Sequence, residues 1–114
     1  MANEHLDYKV LSALKEVMED EYPLLLDTFL EDSATRVAHL REARDARDLG
    51  QAAHSFKGSS ANMGAVQLAE LCRELEQRAF HGPLQGIEDL VSRIDLEFGT
   101  VRQLFIDERQ RCTS

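Results

Sequence analysis

Tryptophan is absent from this 114-residue sequence, and proline and cysteine occur only twice each. Two cysteines, Cys72 and Cys112, are too few for the dense cross-linking of a small disulfide scaffold. Cys72 lies on an apolar helical stripe and reads as a reduced core residue, while Cys112 falls in the tail and carries little information. With two prolines and six glycines, long stretches lack any breaker. Leu, Ala, Glu and Arg fill them, so helix is favoured throughout. No run approaches the roughly 18 apolar residues of a membrane span, and the opening Met1-Ala2-Asn3-Glu4-His5 is no signal peptide. A cytoplasmic location is therefore expected. Basic residues are the minority, 13 Lys and Arg against 21 Asp and Glu, for a net charge of −8. Nucleic-acid phosphates and anionic membrane surfaces would repel such a chain, so neither is expected as a partner. There is no phosphate-binding loop, no C-x-x-C, and no H-x-x-x-H or E-x-x-H spacing. These absences argue against an ATP site and against a metal site in a bundle core.

What remains is a sequence of amphipathic helices in a single domain, residues 1–114, with room for one hydrophobic core. A short first helix is expected over 7–18, capped by Asp7, with Val10, Leu11, Leu14, Val17 and Met18 on its apolar side. Pro23 suits the first turn of a second helix over about 23–46, whose stripe is Leu26, Phe29, Leu30, Ser33, Val37, Leu40 and Ala43. Arg36, Arg41, Arg44 and Arg47 lie among acids on its outward side, the pattern of a solvated face. Asp48 can cap a third helix that Gly64 closes through a left-handed turn. A fourth helix over about 65–80 buries Leu68, Leu71, Cys72, Leu75 and Ala79, and His81-Gly82-Pro83 breaks it. A fifth, about 84–110, repeats Ile87, Leu90, Val91, Ile94, Phe98, Val101 and Phe105 at three- to four-residue steps, with Gly99 inside. No strand pattern or repeat appears. Long helices with short loops give an all-α, antiparallel up-and-down four-helix bundle from helices two to five, the first helix capping one end.

One stretch departs from the rest. About 30% of the chain is charged, yet residues 49–64 carry a single formal charge, Lys57. At about 100° per residue, Leu49, Ala52, Ala53, Phe56, Ser60 and Met63 fall on one buried face. His54 falls on the side away from that face, in the company of Gly50, Lys57, Gly58 and Ala61. Solvent-facing helical positions usually carry long polar side chains, and glycine there costs about 1 kcal/mol relative to alanine. A glycine one turn from an exposed histidine makes sense if something must approach the imidazole closely. Lys57, also one turn along, would place a cation beside whatever the ring holds. A surface histidine beside a lysine is by itself an ordinary pair; the uncrowded, nearly uncharged face is what points to a nucleophile.

The run His54-Ser55-Phe56-Lys57-Gly58-Ser59-Ser60-Ala61-Asn62-Met63-Gly64-Ala65, followed by Leu68, Leu71, Cys72, Leu75 and Glu76, resembles the histidine-containing phosphotransfer (HPt) domain family. The family pattern is H-x-x-K-G-[SA]-[SA]-x-x-φ-G, then L-x-x-φ-C-x-x-φ-E/Q. Phe56 and Met63 stand where Leu is commoner and keep those positions apolar. The resemblance implies the four-helix bundle and a stand-alone relay protein or excised module. It implies that His54 is the phosphorylated residue, with Lys57 offsetting charge and Gly58 giving clearance. Gln51, Ala61 and Glu76 are the residues expected to flank a docked partner, Glu76 at a position that in the family sits near the active histidine. Partners would be receiver domains of hybrid kinases and response regulators, which bring their own Mg2+; this chain would need no cofactor and hold no metal, and would act as a monomeric carrier without kinase activity. A second expectation is a bundle that docks a receiver without transferring phosphate. A metal-binding bundle is a remote third.

Overall fold

The computed structural model describes residues 4–113; Met1, Ala2 and Asn3, part of the opening read above as no signal peptide, lie outside the described residues. Among the described residues five α-helices follow one another: α1 (Tyr8–Met18), α2 (Tyr22–Glu42), α3 (Ala46–Asn62), α4 (Val66–His81) and α5 (Ile87–Thr113), with a 3-10 turn, Glu19–Glu21, between the first two. No strand occurs among the described residues, and no helix among them is long and apolar enough to cross a membrane.

The local chemistry explains where helices begin and end. Asp7 has extended backbone and its carboxylate accepts from the Lys9 N–H at 3.0 Å, so it caps α1 as expected. Pro23 sits in the first turn of α2, where its missing N–H costs nothing. α2 stops at Glu42, four residues short of expectation, because Ala43 swings to ψ 133°. The chain is then extended at Asp45, whose carboxylate accepts from the Asp48 N–H at 2.8 Å. Asp45, not Asp48, is therefore the cap of α3. Asp48 lies within the first turn, where the helix dipole favours its charge, and meets His39 Nε2 at 3.2 Å. α5 likewise starts at Ile87 rather than near 84, leaving Leu84 exposed in the preceding loop.

Helices α2 to α5 form the expected antiparallel bundle. Arg109 Nε reaches the Asp27 carboxylate at 2.9 Å while Arg41 pairs with Asp95, so α2 and α5 run in opposite directions. Arg36 with Ser55 and His39 with Asp48 give the same sense to α2 and α3. The four stripes meet in one core, with Leu26, Phe56, Leu68, Cys72, Leu75, Ile94, Val101 and Phe105 shut off from water. Burying each large apolar side chain contributes about 1.5–3 kcal/mol against the entropy of ordering the chain. The Phe29 and Phe105 rings lie 5.2 Å apart at its α1 end.

The first helix closes that bundle at the α3–α4 turn. Asp7 N–H donates to the Gly64 carbonyl at 2.8 Å, and Leu6 is fully buried. Gly64 has φ +73°, and a Cβ there would stand 2.9 Å from the Asp7 carbonyl oxygen, so this turn requires glycine twice over. Because α1 lies over an end, it buries little: Leu11 is its one fully buried residue, Leu14 and Met18 pack at the margin, and Val17, expected on the apolar side, is exposed.

Candidate functional site

α3 buries Leu49, Ala53, Phe56 and Ser60, and this fixes the azimuth of everything else on it. His54 projects on the opposite side, with 65% of its side chain accessible. Gln51, Gly58 and Ala61 are exposed around it. A Cβ built on Gly58 would meet nothing within 4 Å, so no part of this chain needs a glycine there. The space beside the ring is open, as the sequence led one to expect.

Gly50 does not belong to that open face. It is buried, because the Phe80 ring of α4 lies where its side chain would be: a Cβ at 50 would come within 2.6–2.8 Å of three ring carbons. A helical wheel gives the angle of residue 50 correctly but cannot tell that α4 comes this close. Neither Phe80 nor its contact with Gly50 was visible in the sequence. The same holds for Arg36, read as part of a solvated ridge, which donates from Nη1 to Ser55 Oγ next to the histidine.

Glu76 comes to the centre of the site. Its carboxylate, only 18% exposed, bridges two residues of α3: Lys57 Nζ donates to Oε1 at 2.7 Å, and His54 Nδ1 lies 2.7 Å from Oε2. The Lys57 hydrogen bond, helped by that from His54 and by the charge of Lys57, outweighs the effect of partial burial and holds the Glu76 carboxyl below the usual carboxylate range. A carboxylate offers only acceptors, so the proton on this edge of the ring belongs to Nδ1. In the neutral imidazole Nε2 then carries the lone pair, and it is the nitrogen on the edge away from Glu76. The site thus holds the histidine in the tautomer a nucleophile at Nε2 needs, with an ammonium already in place across the carboxylate. Among the described residues no group of three or more His, Cys, Asp or Glu is placed to hold a metal ion.

A family model, the Hpt domain, matches residues 24–104. Those residues span α2 to most of α5, the bundle and the whole His54–Lys57–Glu76 cluster. Among solved structures, the crystal structure of histidine-containing phosphotransfer protein B (HptB) from Pseudomonas aeruginosa PAO1 is similar at 53% sequence identity and a TM-score of 0.92, covering 96% of this chain and 98% of that one. No curated protein matches the chain. With more than half of its length matched by the family model and a relative this similar over nearly the whole chain, the protein belongs to the histidine-containing phosphotransfer domain family and has a histidine phosphotransfer role in a phosphorelay.

Proposed function

We propose that the phosphoryl group is carried on Nε2 of His54, received from the aspartyl phosphate of one receiver domain and passed to the aspartate of another. The His54–Glu76 contact at 2.7 Å is the observation that carries this reading. With Nδ1–H held by Glu76, the Nε2 lone pair attacks phosphorus in line; the new N–P bond forms as the P–O bond to the receiver aspartate breaks, and that bonding pair leaves on the aspartate carboxylate. No proton is lost from the ring, so the phosphorylated ring is an imidazolium, and the Glu76 carboxylate faces its positive charge. Lys57 lies across the same carboxylate and can turn to the phosphoryl oxygens as charge gathers there. Gly58 leaves the approach clear. The reverse sequence of bonds hands the group on, so the same three residues serve in either direction of flow.

In this reading the 114-residue chain is one monomeric, cytoplasmic carrier domain with no kinase activity of its own. The receiver contributes its acidic pocket and Mg2+, and His54, Lys57 and Glu76 contribute the nucleophile and its charge balance. Incubation with phosphorylated receiver domains, followed by mass mapping, tests it. The expected label is acid-labile and base-stable and maps to His54; His54→Gln loses it while receiver binding largely survives. Label retained in His54→Gln removes this residue from the mechanism, and binding without any label in the wild-type chain leaves only a docking module.

A further inference from the structure

Six large apolar side chains are exposed among the described residues, and Phe80, 46% exposed, is the one aromatic ring of the six. Single exposed apolar residues are ordinary on protein surfaces. Phe80 is set apart by what holds it and by where it is held. Its ring occupies the space left by Gly50, with carbons 2.6–2.8 Å from where a Cβ would stand. A glycine inside a helix is unfavourable, and an alanine at 50 with a smaller residue at 80 would close α3 against α4 without it. Two residues on different helices are thus arranged so that an aromatic ring lies flat on α3 with nearly half its surface in water.

That ring sits close to the nucleophile. Gly50 precedes His54 by four residues, one helical turn or about 6 Å along α3. A partner that brings phosphorus to Nε2 covers about 800 Å² in an interface of standard size, a patch reaching roughly 16 Å from its centre. Packed on Gly50, Phe80 falls within such a footprint when it is centred on His54. Gln51, next to Gly50 on α3, and Gln77, one turn before Phe80 on α4, are both exposed and neutral. Buried aromatic rings near the centre of an interface are where binding energy concentrates.

Building on the reading that His54 accepts phosphate from receiver domains, we propose that Phe80, seated on Gly50, is the apolar anchor that a receiver domain covers when it docks, fixing affinity and register without touching the reacting atoms. The occupant is the receiver because no other partner must cover this face for transfer to occur.

The test compares two phosphodonors across the wild type, Phe80→Ala and Gly50→Ala, with circular dichroism and thermal melts to confirm folding. One donor is a phosphorylated receiver that labels the wild-type chain; the other is phosphoramidate, which needs no protein surface. With the receiver, Phe80→Ala is expected to raise KM about tenfold while kcat at saturating receiver stays at the wild-type value. Gly50→Ala, which must displace the ring, is expected to shift KM in the same direction by a smaller factor. Phosphoramidate labelling is expected to be the same in all three. An unchanged KM in Phe80→Ala overturns the proposal, as does a parallel loss of phosphoramidate labelling, which would mark a structural role. A wild-type chain that takes label from phosphoramidate but from no receiver would overturn the reading of partner and anchor together; labelled wild type with an indifferent Phe80→Ala would overturn the anchor alone.

Discussion

Replacing Gly58 with alanine separates what the fold wants from what the reaction wants. A Cβ at position 58 would meet nothing within 4 Å beyond its two chain neighbours and its own helical backbone, and the backbone there is ordinary helix rather than a left-handed turn. Nothing in the folded chain therefore opposes a methyl group there. Helix propensity alone then predicts that Gly58→Ala stabilises the protein by up to about 1 kcal/mol, partly by restricting the unfolded chain. For a domain of this size that is a rise in Tm of about 4 °C. The same methyl group leans toward the helix N-terminus, as every helical Cβ does, and so toward His54 one turn earlier. There it stands in the space through which, on the proposed function, a receiver comes. Forcing a methyl group into a close-packed contact costs about 1–3 kcal/mol, a fall in kcat/KM for receiver-dependent labelling of roughly 5- to 150-fold. Thermal or urea melts and single-turnover transfer from a labelled receiver measure the two effects on one preparation. A variant that is more stable and slower supports the clearance argument. A variant that transfers at the wild-type rate refutes it, and one that is less stable shows that the space at position 58 is not empty.

Three further changes probe the surroundings. Glu76→Ala removes the acceptor from Nδ1 and frees Lys57, and a lost hydrogen bond to a charged group of about 1.5–3 kcal/mol predicts a tenfold or larger drop in transfer; Glu76→Gln keeps an acceptor for Nδ1–H and should recover much of it. Because the folded-state pKa of Glu76 is depressed, its ion pair with Lys57 stabilises the fold above the unfolded-state value and loses that contribution as pH falls through the lower folded one, so the stability gap between wild type and Glu76→Gln should close only below the ordinary carboxylate range, as urea melts across acid pH would show. Burial pushes the Cys72 thiol up to about 12, so a thiol reagent at neutral pH should modify Cys112 alone in the folded protein and both on unfolding, a stoichiometry read by mass spectrometry. Gly64→Ala puts a Cβ 2.9 Å from the Asp7 carbonyl at φ +73° and should cost about 2 kcal/mol or more, with the N-terminal segment losing amide protection first.

The fold was legible because each helix announces its own buried side. Of the stripe expected on α3, Leu49, Ala53, Phe56, Ser60 and Met63 are buried and Ala52 is half-buried, and with it the outward direction of His54 was already settled. Errors arose where two residues offered the same chemistry or where an element ends. Asp45 and Asp48 are equally good caps by composition, and only the extended backbone at Asp45 decides between them. Val17 continues the period of α1, but a helix laid over the end of a bundle has too little surface facing it to bury every residue of its stripe.

What no single helix announces is its register against the next, and the site depends on that register. Gly50 lies against Phe80, and one turn further along α3 His54 lies against Glu76, one turn back along α4: a step of four residues up one helix is a step of four down the other. The two contacts are therefore one alignment seen at two levels. A side chain at 50 has to be accommodated either by moving α4 away, which would draw Glu76 off the histidine, or by turning the Phe80 ring outward. The ring already has 46% of its surface in water and no hydrogen bond to lose, whereas Glu76 would give up two contacts of 2.7 Å to charged or polar partners. The ring is the softer member, so it moves and the helices stay. Gly50→Ala should accordingly leave the His54 ring resonances and their dependence on Glu76 as they are while weakening receiver docking. A shift of those resonances toward their values in Glu76→Ala would show instead that glycine at 50 is there to bring Glu76 to the histidine.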